Sequence, residues 1–267
     1  MSETPASRPA PSRTPWLVCR RPRPGAIGLY CFAHCGGTAG EFARWADELP
    51  DAEVRAVQLP GRGSRIDEPV LTSMQSLVAA LLAHLDFDGR FVFFGHSLGA
   101  LVAFEVARGL RDRGRAQPER LFLSASPAPH LPRTLPPVHH LDDQDLLAAI
   151  TDMYGTLPAA LKEDPELLRL MMVPHRADFR IVETYQYLPG APLDIPLHVV
   201  TGREDRHTAE QMTAWSTHSR VPVDLHPLPG GHFYLREQRS ALLAHLRARL
   251  TETTGTPERQ RITGRAG

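Results

Sequence analysis

Lysine is nearly missing from this chain. Lys162 is the only one among the 30 basic residues, so positive charge rests almost entirely on arginine. Net charge is missing as well, because the 30 Lys and Arg balance 30 Asp and Glu. That balance argues against the basic footprint needed for nucleic acid or an anionic membrane. No apolar run is long enough to span a bilayer, and the first residues lack the apolar core of a secretory signal. Cysteine is scarce, and Cys19, Cys31 and Cys35 show no C-x-x-C spacing. An odd, sparse set of this kind fits reduced thiols in the cytoplasm, with no metal site. These absences leave a soluble, cytoplasmic protein, which we expect to be a monomer.

What is present is a pattern of short apolar runs and amphipathic stretches. Met1 to about Pro15 is rich in Pro, Ser and Thr, Thr251–Gly267 is polar, and both are expected to be disordered tails. Residues 16–250 then form one domain. Buried strands are expected at Ile27–Ala33, Val54–Gln58, Phe91–Phe94 and Arg120–Ser124. Between them lie helices opened by Thr38-x-x-Glu41, read as a capping box, and by Thr72-x-x-Gln75. Alternating strands and helices with short connections predict an α/β fold, a mostly parallel sheet with helices on both faces. From about residue 127 to 192 the strand signal stops. Proline-punctuated helices near Asp142–Met153, Pro165–Met172 and Pro174–Tyr187 predict an inserted helical lid, whose apolar residues form its own core and in part a tunnel. Strands resume at Pro196–Val200 and Pro222–His226, with helices near Thr208–Thr217 and Arg236–Leu250.

Chemistry concentrates at Gly95-His96-Ser97-Leu98-Gly99, a G-x-S-x-G pentapeptide between an apolar strand and a helix. In that context Ser97 is the nucleophile of an elbow, with a strained backbone and an exposed hydroxyl. A serine needs an imidazole to take its proton and a carboxylate to fix the imidazole's tautomer. Both should follow in chain order on loops at the carboxyl ends of strands. Asp205, after Pro196–Val200, is the chosen carboxylate, with its neighbour Glu204 as the rival. Asp194 lies at the wrong end of the sheet and Asp224 within a strand. His232, after Gly230-Gly231, is the chosen base over His226 and His218. Two backbone N–H groups, of Leu98 at the helix start and of Cys35 in the His34-Cys35-Gly36-Gly37 loop, would form the oxyanion hole. Cys35 also admits a reading as a second nucleophile beside His34, though a small apolar side chain fits better.

Five segments, LYCFAHCGGTAGEFARWADELP, VRAVQLPGRGSRIDEP, FVFFGHSLGALVAFEVARGL, LHVVTGREDRHTAEQMTAW and LPGGHFYL, resemble type II thioesterases. These are the stand-alone editing hydrolases of polyketide and nonribosomal peptide assembly lines. The resemblance runs from about Trp16 to Leu250 and implies an α/β-hydrolase fold with a mobile helical lid. It implies Ser97, Asp205 and His232 as the triad, with Cys35 and Leu98 as oxyanion donors. It also implies acyl or peptidyl carrier proteins as transient partners, their phosphopantetheine arm bearing the substrate, and no cofactor of the enzyme's own. Two departures stand out: Ala33-His34-Cys35 where the family commonly has Pro-His-Ala, and Leu98 where Met is common. Neither removes a backbone N–H. Arg20, Arg21, Arg23, Arg62 and Arg65 are candidates for contact with an acidic partner or the pantetheine phosphate, although solvated surface is the plainer expectation for most. An esterase or acyltransferase acting on free small molecules, and a non-catalytic binding protein of the same fold, are the competing readings.

Overall fold

The computed structural model describes residues 14–155 and 164–251. The expectations for the two tails lie almost wholly outside the described residues. Seven strands form one sheet: β1 (Leu17–Val18), β2 (Ile27–Phe32), β3 (Ala52–Val57), β4 (Phe91–His96), β5 (Leu121–Ser124), β6 (Leu197–Gly202) and β7 (Asp224–Leu228). Their order across the sheet is β1-β3-β2-β4-β5-β6-β7. Only β1 runs antiparallel, pairing Leu17 with Val57 at the outer edge. The sequence offered no signal for so short a strand. All other neighbours are parallel, so the carboxyl ends of β2, β4, β6 and β7 meet one edge of the sheet.

The central strand shows why the sheet is buried on both faces. Side chains alternate along a strand. Phe91 and Phe93 therefore enter a core with α2 (Met74–His84) and α3 (Leu98–Asp112). Val92 and Phe94 enter the opposite core with Phe42, Trp45 and Leu243. Each fully buried phenylalanine contributes about 1.5–3 kcal/mol of transfer free energy. Helix α3 is buried continuously from Leu98 to Phe104, carries Glu105, Arg108 and Arg111 on its outer side, and ends in a Schellman motif. Arg115 N–H bonds Leu110 O, Gly114 N–H bonds Arg111 O, and Gly114 takes φ +61°.

Local signals misled in three places. The Thr38 capping box does not form: α1 (Gly40–Ala43) begins after Ala39 without a side-chain cap, because Glu41 is drawn away to His34 and Arg236. Helix α2 is capped one residue later than expected, by Ser73 accepting from Ser76 N–H. In the insertion, α4 (Asp143–Tyr154) is as expected, but α5 (Pro165–Thr184) runs unbroken through Pro174. A proline there costs roughly 3 kcal/mol. The buried His175, Asp178, Phe179 and Ile181 beyond it offset that penalty through contacts with the body and lid. The lid has its own small core of Val138, Leu146, Leu147, Ile150, Met172 and Phe179. After β6 come α6 (Ala209–Thr213), with a true capping box from Thr208 and Gln211, α7 (Tyr234–Glu237) and α8 (Arg239–Thr251).

Candidate active site

Ser97 sits at the turn between β4 and α3 with φ +56° and ψ −117°, a conformation that an L-residue rarely adopts. Such strain costs on the order of 1–3 kcal/mol and persists only where surroundings enforce it. Here Ser97 N–H is tied to Ser124 O at 2.8 Å. Added carbons at Gly95 and Gly99 would lie 2.0 Å from Gly99 O and 2.1 Å from Phe32 O, so the helix can pack back on the strand only with glycine at both places.

The carboxylate and the base arrive from the next loops. Asp205 Oδ2 accepts from His232 Nδ1 at 3.0 Å, and Oδ1 lies at 3.3 Å. The Asp205 side chain is fully buried and that of His232 nearly so. Burial pushes the Asp205 pKa up, but the hydrogen bond and charge of His232 outweigh it and hold it below the ordinary value. Glu204 has a different partner: its N–H bonds Gly230 O, and its Oε2 accepts from Gly230 N–H. The rivalry left open by the sequence thus resolves into two jobs. Asp205 meets the imidazole, and Glu204 clasps the loop that carries it. The two loops approach so closely that a carbon on Gly202 would lie 2.2 Å from Gly230 O. His226 instead stacks on His245 at 3.9 Å and His218 packs on Trp215, both away from this edge.

Ser97, Cys35 and His232 line one cavity of about 710 Å³, with Ile150, Tyr154, Met171 and Phe179 lining it on the lid side. Among the described residues, Ser97 Oγ has no hydrogen-bond partner, and neither Cys35 N–H nor Leu98 N–H is taken by another group. Burial, reinforced by Asp178, pushes the Cys35 thiol well up, and His34 bonds its backbone oxygen rather than its sulfur. That arrangement contradicts Cys35 as a second nucleophile.

Two contacts of His232 were not foreseen as such. The Tyr154 ring, at the end of α4, lies 4.7 Å from the imidazole, and the Arg206 guanidinium lies over the Tyr154 ring at 4.9 Å from its centroid. Beneath, His96 is fully buried with its ring 5.2 Å from that of His232. Its Nδ1 meets Ser124 Oγ at 2.7 Å, which meets Tyr234 OH at 2.6 Å. Burial, with His232 and His34 nearby, drives the His96 pKa well down, so it forms a neutral floor. Nothing but its place inside the pentapeptide could have marked it. Asp205, His207 and His232 also lie close enough for a metal, with ligand atoms within 4.8 Å, as do His198, Asp224 and His245.

The arginine expectation needs correcting at two positions. Arg62 is 5% exposed and ion-paired to Asp178, and Arg65 is 6% exposed, bonded to Glu68 and stacked on Trp16. Neither faces solvent, because both close the core under their loop. Arg20 and Arg21 pair with Asp47 at the surface, and Arg23 caps the carbonyls of Ala46 and Leu49.

Parallel strands, a strained elbow serine and loop-borne Asp and His at one sheet edge define an α/β hydrolase. A family model described as thioesterase domain matches residues 28–250, and the chain belongs to that family. It is 39% identical over 250 residues to Thioesterase PikA5 of Streptomyces venezuelae, covering 91% of this chain and 88% of that protein. It is likewise 39% identical over 251 residues to a Brevibacillus parabrevis protein named linear gramicidin dehydrogenase LgrE, covering 90% and 94%. The solved type II thioesterase BorB of the borrelidin biosynthetic cluster superposes with a TM-score of 0.79 at 38% identity, covering 88% of this chain and 97% of that one.

Proposed function

We propose that this protein is a type II thioesterase that removes acyl groups from the phosphopantetheine arm of acyl or peptidyl carrier proteins. The observation that carries the reading is the His232–Asp205 hydrogen bond at 3.0 Å beside the cavity that Ser97 also lines. With Nδ1 donating to Asp205, the His232 Nε2 is the acceptor for the Ser97 proton. The bond from Ser97 Oγ closes when substrate orders the site, as catalytic contacts often do. Ser97 attacks the thioester carbonyl, and the N–H groups of Cys35 and Leu98 receive the oxyanion. The pantetheine thiol leaves with the proton from His232, and water then hydrolyses the acyl-enzyme. A thiol is a good leaving group, so the site needs little distortion of the substrate. The enzyme works as a monomer in brief encounters with its carriers, in the cytoplasm and without a cofactor of its own. The dehydrogenase name of one relative finds no echo here, since the sequence contains no G-x-G-x-x-G dinucleotide fingerprint.

The test is a panel of acyl groups on one carrier protein, with turnover and Ser97 acylation followed by intact mass. The expected result is a Ser97-linked acyl adduct. Ser97→Ala should lower turnover by about three orders of magnitude or more. Turnover unchanged in that variant would sink the mechanism. A strong preference for simple p-nitrophenyl esters over carrier-bound thioesters would replace the editing role with that of a small-molecule esterase.

A further inference from the structure

Asp178 lies two-thirds of the way along a lid helix, yet it is 1% exposed and touches none of Ser97, Asp205 and His232. A buried carboxylate is costly unless its oxygens are fully used, and here they are. Oδ2 accepts from Gly36 N–H at 2.8 Å and from Arg62 Nη1 at 2.5 Å, while Oδ1 accepts from Arg62 Nη2 at 2.8 Å. Arg62 Nη1 also reaches Gly37 O at 3.4 Å. Gln58, held to Arg62 O at 3.0 Å, accepts from Ala39 N–H at 3.2 Å. The loop after β2 is therefore fastened by side chains from both the lid and the loop after β3.

The fastening is directional. His34 Nδ1 donates to Cys35 O at 2.9 Å, and Asp178 accepts from Gly36 N–H, so the peptide joining Cys35 to Gly36 is held at both ends. Cys35 N–H, one peptide earlier, is the donor left over at the cavity. The lid helix also fixes the loop sterically. Gly36 has φ +71°, and a carbon added there would lie 2.1 Å from the His175 ring, one turn before Asp178. We infer that Asp178, with Arg62 as its counter-ion, is a positioning residue that aims the Cys35 N–H at the developing oxyanion. Lid and oxyanion loop thus form one part. This rests on the hydrolase reading above.

The test separates the hydrogen bond from the charge. Replacing a whole buried ion pair by uncharged groups is often neutral in stability, whereas breaking half of it is not. The double variant Arg62→Met/Asp178→Asn keeps an amide oxygen for Gly36 N–H, and Arg62→Met/Asp178→Leu removes it. Thermal melting of both checks the fold, and Asp178→Ala replaces the leucine if that chain does not fold. Loss of an oxyanion donor costs about 10²–10³ in kcat. A misaimed donor is expected to cost about 10–100-fold in the leucine variant, with KM changed less than about threefold. The asparagine variant should recover most of kcat. Affinity for an alkylboronic acid, which mimics the tetrahedral adduct on Ser97, should fall in parallel. Equal kcat in the two folded double variants, or a change confined to KM, overturns the inference. Failure of the parent to hydrolyse thioesters in a Ser97-dependent way would instead overturn the reading beneath it.

Discussion

At the residue scale, Asp205 and Glu204 show how adjacent carboxylates acquire unlike duties. Only the first faces His232 Nδ1, and only the second meets Gly230 N–H. Asp205→Asn keeps the shape of the site but favours the wrong imidazole tautomer. Its kcat is expected to fall by about 10⁴, and its melting temperature to fall as well, because the carboxylate that His232 holds below its ordinary pKa is lost. Glu204→Gln retains an acceptor for Gly230 and should stay within about threefold of the parent. Steady-state kinetics on one acyl-carrier substrate decide this. If the two variants lost activity equally, the division of labour would be wrong.

At the scale of elements, the elbow was the most legible feature, since its strand, glycines and helix are adjacent in the chain. The same adjacency makes it brittle. Gly99→Ala drives a carbon to 2.1 Å from Phe32 O, a backbone atom that cannot swing aside. The expected loss is about 3 kcal/mol, the upper part of the overpacking range, read from urea unfolding. A loss below about 0.5 kcal/mol would show that the helix shifts freely on the sheet. Elements whose state depends on distant partners were misread. Pro174 marks a break by local rules, but the helix is carried through by contacts its downstream residues make. Thr38 and Glu41 spell a capping box, yet Glu41 finds better partners in His34 and in Arg236, 195 residues away. Arg62 reads as solvated surface because its partner Asp178 lies 116 residues further on. Sequence patterns report neighbours along the chain, and these outcomes were set by neighbours in space.

At the scale of the molecule, Glu41 joins the early α1 to the late α7. Burial raises its pKa, but hydrogen bonds and charge from His34 and Arg236 outweigh that and hold it at about 2. An unfolded glutamate titrates near about 4.3. The folded value lies below the unfolded one, so this link stabilises fully above about pH 4.3 and is lost as pH falls toward about 2. Melting temperatures between those limits should fall less steeply in Glu41→Gln than in the parent. An identical slope in both would remove Glu41 from the account of acid stability. The sheet order has a further consequence, which concerns time. The hydroxyl comes from the middle of the sheet, the carboxylate follows β6, and the imidazole follows β7 at the far edge. A chain emerging from the ribosome acquires these parts in that sequence. Until β7 docks, Ser97 stands at the elbow without the loop that bears His232. The nascent chain therefore carries Ser97 without the Asp205–His232 pair until the sheet's far edge is in place.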